Sequence, residues 1–332
     1  MLEYLQNSKK NNTMNLKNDE GKLNFVINLH HEYARAMSGG IVALQTLAYK
    51  IAERGHNVYI FCKPEYPHEN IHVIPSKSVY TEGFLEGYEW EPFNYPLNKT
   101  ISILPQITRG NSFNTIHTAR WILYDTEWEI EKDYGDNEVY FNYGNFKTFK
   151  DVPKNKLTVF NYYFDKLYQT NFGKRKGLCH IRHKHTPPNG EKIFEQLKST
   201  SLNDWKTNGA YDFLREQLNQ YEYFLTYDQK SFYTLAAGLC GCKSIILNPG
   251  PSYEFAPNAY SDSKQYVNEF SPTEYRLENP IQAFGVAYGW DDIGWANKTI
   301  DFVPNYLKEL EKIDNKTVDG FIKYWENKIF TS

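Results

Sequence analysis

The sequence predicts an α/β protein made of two doubly wound units, and three observations carry that prediction. Residues 22–62 read as strand, Gly-containing turn, helix and strand, and residues 221–247 repeat that order. The chain has 332 residues, long for one core and comfortable for two domains.

In the first unit, KLNFVINL (22–29) is apolar enough for a buried strand. His30, His31 and Glu32 follow at its carboxyl end, then a loop reaching Ser38-Gly39-Gly40. Over 41–54, Ile41, Leu44, Leu47, Ala48 and Ile51 recur at helical spacing, and Gly55 is a suitable stop. VYIFC (58–62) is the next strand. There is no GxGxxG, so this Rossmann-like half lacks the dinucleotide fingerprint. Further on, 100–105 (TISILP) is a strand ending at Pro105, and 114–124 (NTIHTARWILY) is predicted as a helix after Gly110-Asn111. Residues 139–142 and 157–160 are strand candidates. Clear periodicity is lost over 150–176, which places the junction there. The expected division is an Asn/Lys-rich flexible leader at 1–21, an N-terminal domain at 22–155 and a C-terminal domain at 156–332.

The second unit opens with the strand 177–181, which runs into the basic cluster Arg182-His183-Lys184-His185. Helices are predicted at 191–198 and 210–220, then an aromatic strand at 221–227. Asp228 is placed to cap a helix over 229–239, Gly241 stops it, and KSIIL (243–247) is the following strand. A helix N-terminus at the carboxyl end of a parallel strand is where an anionic ligand binds, although a βαβ unit without a ligand carries the same pattern. Two amphipathic helices, 302–312 and 318–328, are expected to close the structure.

Composition narrows the function. A formal charge of −3 gives no polyanion signal, so nucleic acid is not an expected partner. The four cysteines, Cys62, Cys179, Cys240 and Cys242, form no CxxC pair and read as buried free thiols suited to a reducing cytoplasm. No apolar run reaches the ~18 residues of a membrane span, which leaves room for peripheral attachment. Aromatic residues make up 17%, enough to stack on sugars or bases, yet Tyr, Phe, Asn and Lys are also what an AT-rich genome encodes.

Several stretches resemble GT-B glycosyltransferases. Ser38-Gly39-Gly40-Ile41 with Arg54-Gly55-His56-Asn57-Val58 looks like the Gly-Gly and Arg-Gly-His opening of that superfamily. Asp228 through Cys242, with KSIIL after it, is similar to its donor-site segment. SILPQITRGNSFNTIHTARWIL (102–123) resembles a polysaccharide-assembly branch with a Pro-Glu, Gly-Asn-Pro and Arg-Trp pattern, Gln106 and Ser112 standing for the Glu and the second Pro. The resemblance implies two Rossmann-like domains facing a cleft, an acceptor domain first and a nucleotide-sugar donor domain second. Many retaining members carry a second acid eight positions after the first; here position 236 is Ala, which leaves the stereochemistry open.

The implied reaction moves a sugar from a nucleotide diphosphate to a glycan or lipid-linked acceptor, in cell-surface polysaccharide or capsule synthesis at the cytoplasmic face of the membrane. No Asp-x-Asp is present to hold a metal, so no cofactor or metal is expected. The Asp-x-Glu stretches at Asp125–Glu127 and Asp136–Glu138 lack a fitting context for one. Helix-terminal amides and cations would neutralise the leaving diphosphate instead. The donor-site residues are Gly39, Gly40, Arg182, Lys184, Tyr227, Asp228, Ser231 and Phe232. His31, His30 and Glu32 are the catalytic candidates, a histidine near neutral pKa suiting a general base. A nucleotide-sugar epimerase of the same architecture, or a non-catalytic nucleotide- or glycan-binding protein, fits the same features.

Overall fold

The computed structural model describes residues 21–28, 39–60, 68–73, 76–81, 84–90, 96–111, 113–144, 146, 148–151, 154–159, 167–168, 173–182, 186–203, 211–228, 231–247, 276–277 and 283–331. Two parallel sheets organise it. The first runs through β1 (Asn24–Ile27), β2 (Asn57–Ile60), β3 (Ile71–Val73), β6 (Thr100–Pro105), β7 (His117–Ile122), β8 (Val139–Asn142) and β9 (Lys154–Lys156). Its order is β3-β2-β1-β6-β7-β8-β9, every pair parallel. The strands β4 (Ser76–Thr81) and β5 (Phe84–Trp90) form a separate antiparallel hairpin. With the hairpin set aside, the order is 3-2-1-4-5-6-7, that of a doubly wound sheet.

The period-two alternation of strands decides which side chains face which layer. Phe25, Ile27, Val58, Ile60, Ile101 and Ile103 pack in the main core with the helix α1 (Gly39–Ala52). Val26, Tyr59 and Leu104 point to the other face, where Phe113 covers them. The outer strand β9 is Lys-Asn-Lys and wholly exposed, charged as an unpartnered sheet edge must be to resist pairing with another chain.

The second sheet holds β10 (Leu178–His180), β11 (Thr200–Ser201), β12 (Tyr223–Thr226), β13 (Lys243–Ile246) and β14 (Val286–Tyr288), in the order β11-β10-β12-β13-β14 and all parallel. In strand ranks this is 2-1-3-4-5, the other common doubly wound order. Leu225, Ile245 and Ala287 pack with Phe194 and Ala296, from α3 (Gly190–Gln196) and α6 (Ile293–Thr299). The opposite face, with Phe224, takes residues of α4 (Tyr211–Leu218) and α5 (Phe232–Leu239) into the main core. A short helix, α2 (Trp128–Glu131), follows β7.

The terminal helix α7 (Val303–Phe330) has 28 residues, a length of about 42 Å. At its start, Val303 lies against Gly238 of α5, where an added Cβ would come within 3.1 Å of the valine. Further along, Phe321 and Trp325 pack edge-on and tilted on Phe141 of β8, and Lys50 of α1 and Arg54 just beyond its end reach Asn315 and Asp319. One helix therefore contacts elements of both sheets.

Three sequence expectations are corrected here. Residues 114–124 are not a helix: the segment turns and then forms β7. The two closing helices are one, because nothing between 312 and 318 breaks the backbone and its polar residues find tertiary partners. Thr317 bonds Thr158, and Asn315 bonds Lys50 and Arg54. The strand expected at 157–160 is instead β9, just before it; Leu157 and Val159 are buried beyond its end, and residue 160 lies outside the described residues.

Candidate functional site

In an open parallel sheet, ligands bind beyond the carboxyl ends of the strands, where the strand order reverses. In the second sheet that point falls between β10 and β12. The chain leaving β10 continues through Ile181 to Arg182; the chain leaving β12 continues through Tyr227 to Asp228, and Ser231 then opens α5. Topology thus brings Arg182, Tyr227, Asp228, Ser231 and Phe232 to one edge of the sheet. Lys184 lies outside the described residues.

Ser231 is the N-cap of α5, in extended backbone conformation, with its Oγ accepting the Tyr233 N–H at 3.1 Å. The cap expected of Asp228 is corrected: α5 starts at Phe232, too late for Asp228 to reach its first amides. Asp228 is buried, and its own N–H donates to Thr226 Oγ1. The Thr234 hydroxyl donates to the Ser231 carbonyl, tightening the first turn. Tyr227 and Phe232 present backbone at this edge while their rings pack inward, Tyr227 beside Phe194 and Phe232 in the main core. Ala236, eight positions after Asp228, is fully buried in the same core.

Arg182 is the exposed cation of the group. Its side chain is 67% exposed and lies 3.3 Å from Glu191 of α3, and its N–H donates to the Asn203 side chain. An exposed pair of this kind contributes only ~0–1 kcal/mol, so the guanidinium can exchange the carboxylate for a phosphate at little cost. Beside it, His180 stacks on Phe194 at 3.9 Å and shares a hydrogen bond with Ser199; burial pulls its pKa down against the raising effect of Glu191.

In the first sheet the order reverses between β1 and β6. Asn28, buried just past β1, donates its N–H to the Ile103 carbonyl. His30, His31 and Glu32 lie outside the described residues. Gly39 and Gly40 form the first turn of α1, two residues earlier than the predicted start at 41; among the described residues a Cβ on Gly40 would meet Leu123, at 3.7 Å.

The turn leaving β6 holds a device the sequence did not disclose. Arg120 of β7 is completely buried and makes two bonds of 2.7 Å to the Glu138 carboxylate. Its other donors reach the carbonyls of Pro105, Thr108 and Gly110, and its guanidinium lies 4.1 Å over the Tyr134 ring. Asn111 bonds Thr115 and Thr118, and Gln106 Oε1 accepts the Leu123 N–H. Around the turn, Arg120 ties Pro105, Thr108 and Gly110 together and Asn111 bonds Thr115 and Thr118, while Trp121 instead donates its indole N–H to the Leu157 carbonyl in the main core. The signal available was the spacing of those residues together with Glu138, which lies in a stretch weighed only as a metal ligand. His117 sits at the amino end of β7, away from this edge, against Trp325.

At the far end of the second sheet, Asp292 accepts the Tyr288 N–H and pairs with Arg276, whose guanidinium lies 4.5 Å over Trp295. Cys179, Cys240 and Cys242 are buried free thiols, as expected; Cys62 lies outside the described residues. Among the described residues no cluster of three or more His, Cys, Asp or Glu side chains could hold a metal ion, and no helix is long and apolar enough to cross a membrane. No protein-family model matches the chain, and no curated protein matches it.

Proposed function

We propose that this protein is a GT-B-type glycosyltransferase that moves a sugar from a nucleotide diphosphate to a glycan or lipid-linked acceptor without a metal, in cell-surface polysaccharide synthesis at the cytoplasmic face of the membrane. The observation that carries the reading is the Ser231-capped start of α5 at the switch point of the second sheet, with the exposed Arg182 at the end of the neighbouring strand. Glycosyl transfer develops negative charge on the leaving diphosphate. A helix N-terminus and a guanidinium stabilise that charge as it forms. Lys184 adds a second cation, and His31 or His30 is the base that takes the acceptor proton if the mechanism inverts, with Glu32 orienting it.

The experiment is a thermal-shift screen against UDP, GDP, CDP, ADP and dTDP, followed by assay of the tightest binder's sugar conjugates in EDTA. A nucleotide at 100 times its dissociation constant stabilises the protein by ~2.7 kcal/mol. Arg182→Ala is expected to weaken the diphosphate much more than the matching nucleoside. Equal weakening of both, or no stabilisation by any of the five, overturns the assignment. Interconversion of the donor sugar with no acceptor present would favour the epimerase reading instead.

A further inference from the structure

Trp128 and Phe149 stand out at the carboxyl edge of the first sheet. Trp128 opens α2, beyond β7, and Phe149 lies beyond β8; the residues are 52% and 58% exposed, and their rings lie 5.9 Å apart at 69°. Single exposed apolar side chains are ordinary. Here a buried charge ties together the two chain segments that carry the pair. Glu131, one helical turn after Trp128, is completely buried, and its carboxylate accepts the Phe149 N–H at 2.8 Å, the Lys150 N–H at 2.5 Å and the Thr126 hydroxyl. Lys150 in turn donates its Nζ to the Tyr134 carbonyl. Burying a carboxylate is costly unless it is hydrogen-bonded, and here its bonds tie the backbone at Phe149 and Lys150 to the helix that Trp128 opens.

We propose that Trp128 and Phe149 are a stacking platform for a neutral glycan, and, if the glycosyltransferase reading holds, part of its acceptor subsite. The surroundings select that occupant. Asp125, Glu127 and Glu129 are the acidic neighbours of Trp128 in the chain, Glu129 paired with Lys132, and Glu127 is exposed. Carboxylates repel an anionic membrane surface or a nucleic-acid backbone, whereas sugar hydroxyls donate to them and the C–H face of a pyranose lies on an aromatic ring. The platform also shares its edge with the switch point of the first sheet, the side on which parallel sheets take ligands.

The test is binding of the full chain to an array of neutral and anionic oligosaccharides, with calorimetric titration of the best neutral binder. Trp128→Ala and Phe149→Ala are each expected to weaken that binding about tenfold, since stacked aromatic contacts carry up to ~1.5 kcal/mol. Both side chains are exposed, so unfolding temperature and nucleoside diphosphate binding should not change. No neutral glycan bound by the wild type, or unchanged affinity in both variants, overturns the platform. So does binding to phosphatidylglycerol vesicles that the variants abolish while no glycan binds. Glycan binding intact beside absent nucleotide binding would keep the platform and sink the transferase reading, so the two fail separately.

Discussion

The carboxyl edges of the two sheets use arginine in opposite ways. Beyond β6, Arg120 is out of reach of water and spends its donors on Glu138 and three backbone carbonyls; beyond β10, Arg182 stands mostly in solvent beside one carboxylate. A guanidinium presents five donors in a rigid fork. Where the protein consumes them all, the residue is a building element; where it does not, a phosphate can still be met. The first edge is therefore a preformed wall, with its turn and its aromatic pair each tied by a buried ion. The second edge is a short capped turn with a replaceable partner for its cation.

The comparison breaks most readily at Arg120. Replacing it with Met leaves the Glu138 charge buried and strips the carbonyls of Pro105, Thr108 and Gly110 of their donor. Breaking a buried pair from one side costs ~3–5 kcal/mol, against ~0.5 kcal/mol or less for Arg182→Met at the surface. Urea unfolding of the two variants gives the difference directly. A loss below about 1 kcal/mol for Arg120→Met would mean that the wall does not depend on this ion pair.

The same contrast explains what could be read in advance. The strands at 100–105 and 139–142 are legible to the residue, because their apolar runs are bounded by a proline and by polar turns. β7 is not. A strand buried on both faces loses its alternation, and a short apolar run then looks the same as a buried helix segment. Nothing local to Arg120 reveals that Glu138 lies opposite and satisfies it. The terminal helix was divided for a related reason: Asp314-Asn315-Lys316-Thr317 reads as a solvent loop until Lys50, Arg54 and Thr158, distant in sequence, supply its partners. In the second sheet the strand–helix–strand unit over 221–247 is readable, but the strand order is not, since β11 at Thr200–Ser201 is too short to leave a pattern.

A smaller effect sharpens the account of the second edge. Ser231→Ala removes the acceptor of the Tyr233 N–H and is expected to cost ~1 kcal/mol, within the ~0.5–2 kcal/mol range of lost N-caps. Amide exchange at Tyr233 should accelerate in that variant and stay slow in Asp228→Asn, because Asp228 does not cap α5. The reverse pattern would restore Asp228 as the cap and move the helix start towards it.

The smallest effect concerns the buried histidines, one beside each sheet. His56 accepts the Leu23 N–H at its Nδ1, at 3.2 Å, and packs edge-on against Phe25. Burial holds its pKa below the ordinary 6.5; Glu326 opposes that shift, while Lys22 and Arg54 add to it. Burial lowers His180 in the same direction. Both groups are neutral in either state well above pH 6.5, so neither makes stability depend on pH there. As the pH falls through 6.5 the unfolded chain takes up protons that the native imidazoles refuse. Stability therefore declines until the lowered native values are passed, with a slope of at most about 1.4 kcal/mol per pH unit for each histidine. His56→Asn places an amide oxygen where Nδ1 accepts and cannot titrate. Whatever the variant loses in packing against Phe25, its stability should fall less steeply between pH 6.5 and 5 than that of the wild type. Parallel slopes would show that His56 takes its proton as readily in the native protein as in the unfolded chain, and that the bond to Leu23 does not resist protonation.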